Sequence, residues 1–494
     1  DQPLQCRPTY FVFARTFRSM AEQDKSDNVE ANAKADADGS TMDRIKTGAF
    51  ERNVALTRMG VGAGAKIASH TVRNFFRRGD SKDEANRNFY RAQAKELADE
   101  LGRLKGSVMK AGQMLSLYGQ YFLPEEAVEV LATLQDNTPA VSWSFVEPQL
   151  IDALGEKTIA KLDIQRKPIA AASLGQAHLA TIKATGEQVV VKIQYPGVAN
   201  AIDTDIRTLS RLISATRLAP KALDLTDVFN ELRDMLVREC DYLQEREFTE
   251  TFHDRLANNS RFIVPKVYPE FCAQRVLTTR YEPGYSVSSK EVQALSQSRR
   301  NALANSFAEL FVTEFFDWNL VQTDPHFGNY RVRIDSQGEN DQIVTLDFGA
   351  TRPFDKSFVE SYGRIVRGSL QADRREVAQG VLEIGLMDAS TPQSFLEGFG
   401  DLTELIVEPF RKPFDPMVPD RLYTPGGAYR FGDTDLPARV GQTAALKMMS
   451  KHFKIPPQEI IFLHRRIGGV LVTLKTLRAE LRLHELLKPY LGLS

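Results

Sequence analysis

The sequence predicts an α+β fold of two lobes, one small and β-rich and one larger and helical, behind an N-terminal helical extension. Three observations predict it. Short β-branched runs, the mark of strands, fall between residues 160 and 282, at Val189 to Ile193, Phe262 to Val267 and Val276 to Thr279. Helix-period patterns lie on either side, from Phe50 to Asp152 and from about residue 285 onward. At 494 residues, 42% hydrophobic and 26% charged, the chain can bury a substantial core and is long enough to divide.

The expected boundaries are a leader over 1–49, a helical extension over 50–159, a small lobe over 160–284 and a helical lobe over 285–494. Residues 2 to 20 carry Arg7, Arg15 and Arg18 and no acid, and the apolar patch Tyr10 to Ala14 is too short for a signal-peptide core. Either a targeting remnant or a gene-start artefact accounts for them, and Met42 is a candidate start. Residues 21 to 43 are polar, lack any aromatic and are expected to be disordered. In the extension, Gly60, Gly62 and Gly64 mimic a phosphate loop, but no strand precedes them, so close helix packing is the better reading. Lys66, His70, Arg73 and Arg77 recur at helical spacing beside Ile67 and Phe75, a basic stripe that suits either solvent or an anionic membrane surface. Asp227 to Leu256, free of Gly and Pro, reads as one long helix; Asn301 to Leu320 and Lys356 to Leu370 read as two more.

Composition excludes several classes. Sixty-three basic against sixty-four acidic residues leave a net charge of −1, so no overall field recruits nucleic acid. Cys6, Cys240 and Cys272 are too few for a disulfide framework and fit a reducing compartment. No run of about eighteen apolar residues occurs, so no transmembrane helix is expected.

Four islands carry chemistry. Val189-Val190-Val191-Lys192 is a β-branched strand ending in lysine. Ala170, Ala171, Ala172 and Ser173 lie about twenty residues before it, where a nucleotide-binding lobe would carry a glycine-rich loop. Asp324-Pro325-His326-Phe327-Gly328-Asn329 places an aspartate five residues before an asparagine, and Leu346-Asp347-Phe348-Gly349 closes a short apolar run. Singly, each is an ordinary turn or surface lysine. Together, in this order, they are the parts of a phosphoryl-transfer site, whose work is positioning and charge neutralisation. Lys192 would pair with the phosphates of ATP, Asn329 and Asp347 are hard oxygen ligands for Mg²⁺, and Asp324 would orient the attacking hydroxyl or water. Thr279, Arg280, Tyr281 and Glu282 would form the hinge that offers backbone groups to adenine.

At these residues the chain resembles the UbiB family, also called AarF-domain-containing or ADCK proteins, atypical kinase-like proteins linked to ubiquinone biosynthesis. The resemblance runs from about residue 95 to 350 and includes Lys110-Ala111-Gly112-Gln113, similar to the family's K-x-G-Q motif, and Glu239-Cys240-Asp241, similar to its E-x-D motif. One departure is Phe327, where relatives commonly carry proline. The resemblance implies a protein-kinase-like bilobal fold, an alanine-rich loop at Ala170 to Gln176, a Glu245 partner for Lys192, and Glu239 and Asp241 meeting Lys110, Gly112 and Gln113. About fifty residues separate Lys192 from Glu245, so an insertion is expected between strand and helix. No Ala-Pro-Glu triplet and no long activation segment follow Asp347, which disfavours a peptide substrate. The implied activity is slow Mg²⁺-dependent ATP hydrolysis, with a kinase acting on protein or small molecule, or a nucleotide-gated scaffold, as alternatives. Implied partners are prenyl-lipid intermediates, an anionic membrane surface and ubiquinone-biosynthesis proteins. The implied location is the bacterial cytoplasm beside the inner membrane, or the mitochondrial matrix.

Overall fold

The computed structural model describes residues 87–95, 98–99, 107–119, 123–132, 140–216, 225–338, 340–440, 443 and 456–493. The leader, the Gly60–Gly64 trio and the basic stripe lie outside the described residues. Among the described residues the chain forms two compact units, one of residues 87–251 with Pro265–Tyr281 and the other of Phe252–Val264 with Glu282 onward.

The first, the sheet unit, begins with helices α1 (Ser107–Gly119), α2 (Glu125–Ala132) and α3 (Trp143–Leu154). Strands β1 (Leu162–Ile164), β2 (Ala170–Ala171), β3 (Gly175–Ile182) and β4 (Gln188–Gln194) follow, then α4 (Val198–Thr216), α5 (Thr226–Glu239) and α6 (Tyr242–Leu256). After β5 (Phe262–Ile263), which belongs to the other unit, comes β6 (Val276–Arg280). The sheet is antiparallel in the order β1-β3-β4-β6, with β2 against β3. In β4 the alternation sorts the faces: Val189, Val191 and Ile193 are fully buried, while Val190 and Lys192 point the other way. Helix α3 packs across β4 and β6 with Val146 and Leu150 inward.

Two expectations change here. The stretch Asp227 to Leu256 is two helices, not one. Cys240 ends α5, and the Asp241 carboxylate accepts the Leu243 and Gln244 amides, both at 3.1 Å, starting α6 afresh. A short acidic side chain can satisfy the first amides of a new helix wherever tertiary packing turns the chain, and no Gly or Pro need mark the spot. The run Phe262 to Val267 is a strand only at its first two residues, because Pro265 cannot donate to a ladder. Those two residues pair in parallel with Ile343 and Val344, in a strand of their own helical unit, rather than joining the small-lobe sheet.

The helical unit holds α7 (Gln297–Phe316), β7 (Leu320–Gln322), β8 (Tyr330–Arg333), β9 (Gln342–Thr345) and β10 (Thr351–Pro353). Helices α8 (Lys356–Gln371), α9 (Arg374–Glu383), α10 (Gln393–Ile406), α11 (Gln458–Thr476) and α12 (His484–Leu491) follow. Helix α7 starts four residues earlier than expected, because Ser296 caps it by accepting the Arg299 amide, and it stops at Phe316 before Asn319 turns left-handed at φ 49°. Strands β5, β9 and β8 form one small sheet, and β7 with β10 another. A buried aromatic core of Phe315, Phe354 and Tyr362 joins α7 to α8. Among the described residues no helix is long and apolar enough to cross a membrane.

Candidate active site

In the sheet unit, β4 carries Lys192 and the first turn of α6 carries Glu245. The Lys192 ammonium donates to both Glu245 oxygens, at 2.7 and 2.8 Å, and lies 5.0 Å from the centre of the Tyr242 ring. Glu245 is buried and Lys192 only half-buried. The first amides of α6 are taken by Asp241, so Lys192 is the cation that balances the Glu245 carboxylate. The expected insertion is α4 and α5, which occupy the chain between the two residues.

Strand β2 and the turn after it contain the four alanine-loop residues. Ala172 donates its amide to the Gly175 carbonyl at 2.8 Å, so Ala170 to Ser173 form a closed hairpin with no left-handed residue among them. Gly175 is required for the turn, since a Cβ there would meet the Ile193 carbonyl at 2.5 Å and the Tyr242 hydroxyl at 2.8 Å. Gln176, next along, bonds the Val141 amide and carbonyl at 2.9 and 3.1 Å, tying the segment before α3 to β3. His178 completes this buried contact; burial lowers its basicity, so it stays neutral between Gln176 and the Gln165 carbonyl.

Lys110, Gly112 and Gln113 lie on α1, which packs against α4 and α5. Lys110 meets Glu239 at 3.0 Å, and Ser107 donates to Asp205 of α4. Asp241 does not join them. Its hydrogen bonds go to its own helix, so the two acids of Glu239-Cys240-Asp241 divide the work, one as ion pair and the other as cap. Cys240 between them is buried and its thiol pushed up to about 12, which makes it inert.

The hinge candidates are partly committed. The Arg280 amide donates to the Lys266 carbonyl at 2.8 Å and the Tyr281 amide to the Gln188 carbonyl at 2.9 Å. Glu282, in the helical unit, is buried and ion-paired with Arg333.

In the helical unit the loop between β7 and β8 brings Asp324 and Asn329 together. The Asn329 amide nitrogen donates to the Asp324 backbone carbonyl at 3.1 Å and to Asp324 Oδ2 at 3.2 Å, leaving its carbonyl oxygen as a hard acceptor. Gln322 Nε2 donates to the backbone carbonyls of both Asp324 and Asp347, at 2.9 and 3.3 Å, so one side chain fixes the spacing of the two carboxylate residues. Asp347 Oδ1 accepts the Gly349 amide at 2.9 Å, and Phe348 is anchored 4.7 Å from the Phe252 ring. His326 accepts the Gly328 amide at 2.9 Å, a local turn bond that accounts for it. Phe327, the departure from the family's proline, is buried. After Gly349 the chain enters β10 at once and pairs back onto β7.

Residues beyond position 355 also reach this loop, where the sequence offers no motif. Arg465 on α11 meets Asp324 Oδ1 at 2.6 Å. Its neighbour Arg466 is fully buried and bonds Glu314 at 3.1 Å and the Tyr330 hydroxyl, which in turn donates to Gln322 Oε1 at 3.1 Å. Burial pushes the Glu314 carboxyl up to about 7, against the pull of Arg466.

The model of the ABC1 atypical kinase-like domain matches residues 133–381, half of the chain. The chain belongs to the ABC1 atypical kinase-like family. Within it, the chain is 31% identical to the atypical kinase COQ8, mitochondrial, of Schizosaccharomyces pombe over 83% of its length and 64% of that protein's. It is 28% identical to the Saccharomyces cerevisiae protein of the same name over 79% of its length and 75% of the relative's. Against the atypical kinase COQ8B, mitochondrial, of Rattus norvegicus the identity is 27%, over 91% and 82%. The chain thus spans just under two thirds of the fission-yeast relative. Among solved structures, the Rv3197–erythromycin complex from Mycobacterium tuberculosis is similar at a TM-score of 0.53 and 23% identity, covering 83% of this chain and 98% of that one. That likeness and the family match establish the kinase-like α+β fold.

Proposed function

We propose that this family member binds ATP with Mg²⁺ and hydrolyses it slowly, in support of ubiquinone or a related prenyl-lipid synthesis at a membrane surface. The observation that carries the reading is the Lys192–Glu245 pair, an ammonium held by a buried carboxylate on a side chain that is still partly exposed. Lys192 would neutralise the nucleotide's phosphates. The Asn329 carbonyl oxygen and the Asp347 carboxylate fit Mg²⁺, which takes one or two protein oxygens and fills its remaining positions from phosphate and water. Bound there, the metal would supply charge neutralisation on the leaving phosphate. Asp324 would orient the attacking water.

Two features favour hydrolysis, or transfer to a small or lipid-like acceptor, over protein phosphorylation. The chain folds from Gly349 straight into β10, so nothing like a long activation segment is present to dock a peptide. The hairpin at Ala170 to Ser173 lacks the glycine freedom that lets a backbone close over phosphates. The mitochondrial names of the relatives favour a mitochondrial site of action.

The test measures nucleotide binding and phosphate release for wild type, Lys192→Ala and Asp347→Asn, with and without anionic liposomes carrying a ubiquinone precursor. Release that needs both residues and rises with liposomes is the expected outcome. Binding without release throughout points to a scaffold, and radiolabel transferred to a partner in an Asp324-dependent amount points to a kinase.

A further inference from the structure

We infer that α11 serves this fold as a built-in counterpart of an activation segment, and that Arg465 is the positioning residue through which it fixes Asp324. The inference rests on the proposed role of Asp324 in orienting the nucleophile. It starts from a stripe. Gln458, Phe462, Arg465 and Gly469 are spaced four, three and four residues apart, so they share one face of α11. Each of these four touches the loop that carries Asp324 or the short segment after Asp347-Phe348-Gly349. Gln458 Oε1 accepts from the Arg352 guanidinium at 3.1 Å, and the Phe462 ring lies 3.5 Å beneath the same guanidinium. Arg465 holds Asp324 Oδ1 at 2.6 Å. Gly469 lets the helix press on the loop, since a Cβ there would fall 1.9 Å from Pro325 Cβ.

Where a kinase has a long activation segment, phosphorylation adds charge that an arginine captures, and this orders the segment and the catalytic loop. Here Asp324 follows Gln322-Thr323, with no adjacent arginine, and the guanidinium comes from 141 residues downstream. Asp324 is held at both oxygens, Oδ1 by Arg465 and Oδ2 by Asn329 at 3.2 Å. A carboxylate gripped at both ends keeps one orientation without any modification of the chain. Turnover therefore depends on α11 and is independent of phosphorylation.

The experiment uses the full chain and measures kcat and KM for phosphate release from ATP with Mg²⁺, with thermal unfolding alongside, for wild type, Arg465→Met, Arg465→Lys and Asp324→Asn. Arg465→Met is expected to lower kcat about tenfold or more while KM for ATP stays within about twofold, the signature of a lost positioning contact. Its melting temperature should stay within about 2 °C of wild type, because the pair is partly exposed. Phosphatase treatment of the wild type should leave kcat unchanged. A wild-type kcat in Arg465→Met, a loss that tracks falling melting temperature and rising KM, or a collapse on phosphatase treatment overturns the inference. Should Arg465→Met fail to fold, Arg465→Lys keeps the charge but loses the planar fork, and about a threefold drop in kcat is expected; no drop overturns the inference. Asp324→Asn separates the two readings. Undiminished turnover in it removes the proposed role of Asp324, whereas loss in it with none in the Arg465 variants removes only the role of α11.

Discussion

Lys192–Glu245 and Arg466–Glu314 are both cation–carboxylate pairs that join elements far apart in sequence, and they are built for different work. In the first, the carboxylate side chain is 4% exposed but the lysine side chain 29%, so the cation end of the pair reaches solvent. In the second the figures are 1% and 2%, and Arg466 also donates to the Tyr330 hydroxyl. An ion pair open on one side can take part in chemistry. One closed on both sides holds Tyr330, at the end of the β7–β8 loop, between α7 and α11.

The largest effect that would break this contrast lies in the closed pair. Arg466→Met or Glu314→Gln strands a buried polar or charged partner, and each should cost about 3–5 kcal/mol in denaturant unfolding. The double variant should be less destabilised than the sum, because nothing is then left uncompensated. The sign of the pH dependence follows from burial. Glu314 titrates near 7 in the fold against 4.5 for a free glutamate, so between those values the native state holds the extra proton. Its contribution is present below about pH 4.5 and is lost as pH rises through 7. Wild type should show that slope and Glu314→Gln should not. Equal stability losses in the closed and open pairs would erase the distinction.

A smaller effect sharpens the contrast inside the open pair, because its two halves are unequal. Lys192→Met leaves a buried carboxylate without its cation, at an expected cost of about 1–3 kcal/mol. Glu245→Gln leaves an ammonium that water can reach and should cost under about 1 kcal/mol. Both should impair phosphate release, so stability and activity separate at Glu245 and move together at Lys192. Urea melts of the two variants, read beside turnover, decide it; a larger stability loss at Glu245 than at Lys192 would show that the exposure difference has no energetic consequence.

The same contrast explains what the sequence could reveal. Lys192 ends a β-branched strand whose alternation is visible residue by residue, and Glu245 was implied as its partner by the family resemblance. Asp324, Asn329 and Asp347 were legible through fixed short spacings. Arg465 and Arg466 were not, because an arginine on an amphipathic helix has no local mark of its partner, and their contacts exist only after packing across 141 and 152 residues. The break between α5 and α6 was hidden for a related reason. Asp241 caps α6 where packing turns the chain, and in sequence the same residues continue a helix. Pro265 was visible, but the β-branched residues around it outweighed its effect on the ladder.

Lys110–Glu239 is the pair in which the smallest stability effect and the most informative functional one coincide. Its side chains are 22% and 19% exposed, so water already compensates both charges, and Lys110→Ala should cost less than about 1 kcal/mol. If α1 nonetheless restrains the nucleotide site, as the family resemblance implies, the same substitution should change nucleotide affinity or unmask autophosphorylation. Ala172→Gly, which loosens the hairpin beside Gly175, should act in the same direction, for it restores the backbone freedom that Ala170 to Ser173 lack. Titration of a fluorescent ATP analogue into the two variants measures this. Unchanged affinity together with absent autophosphorylation in both would reduce Lys110–Glu239 to a surface ion pair that orients α1 against α5 and nothing more.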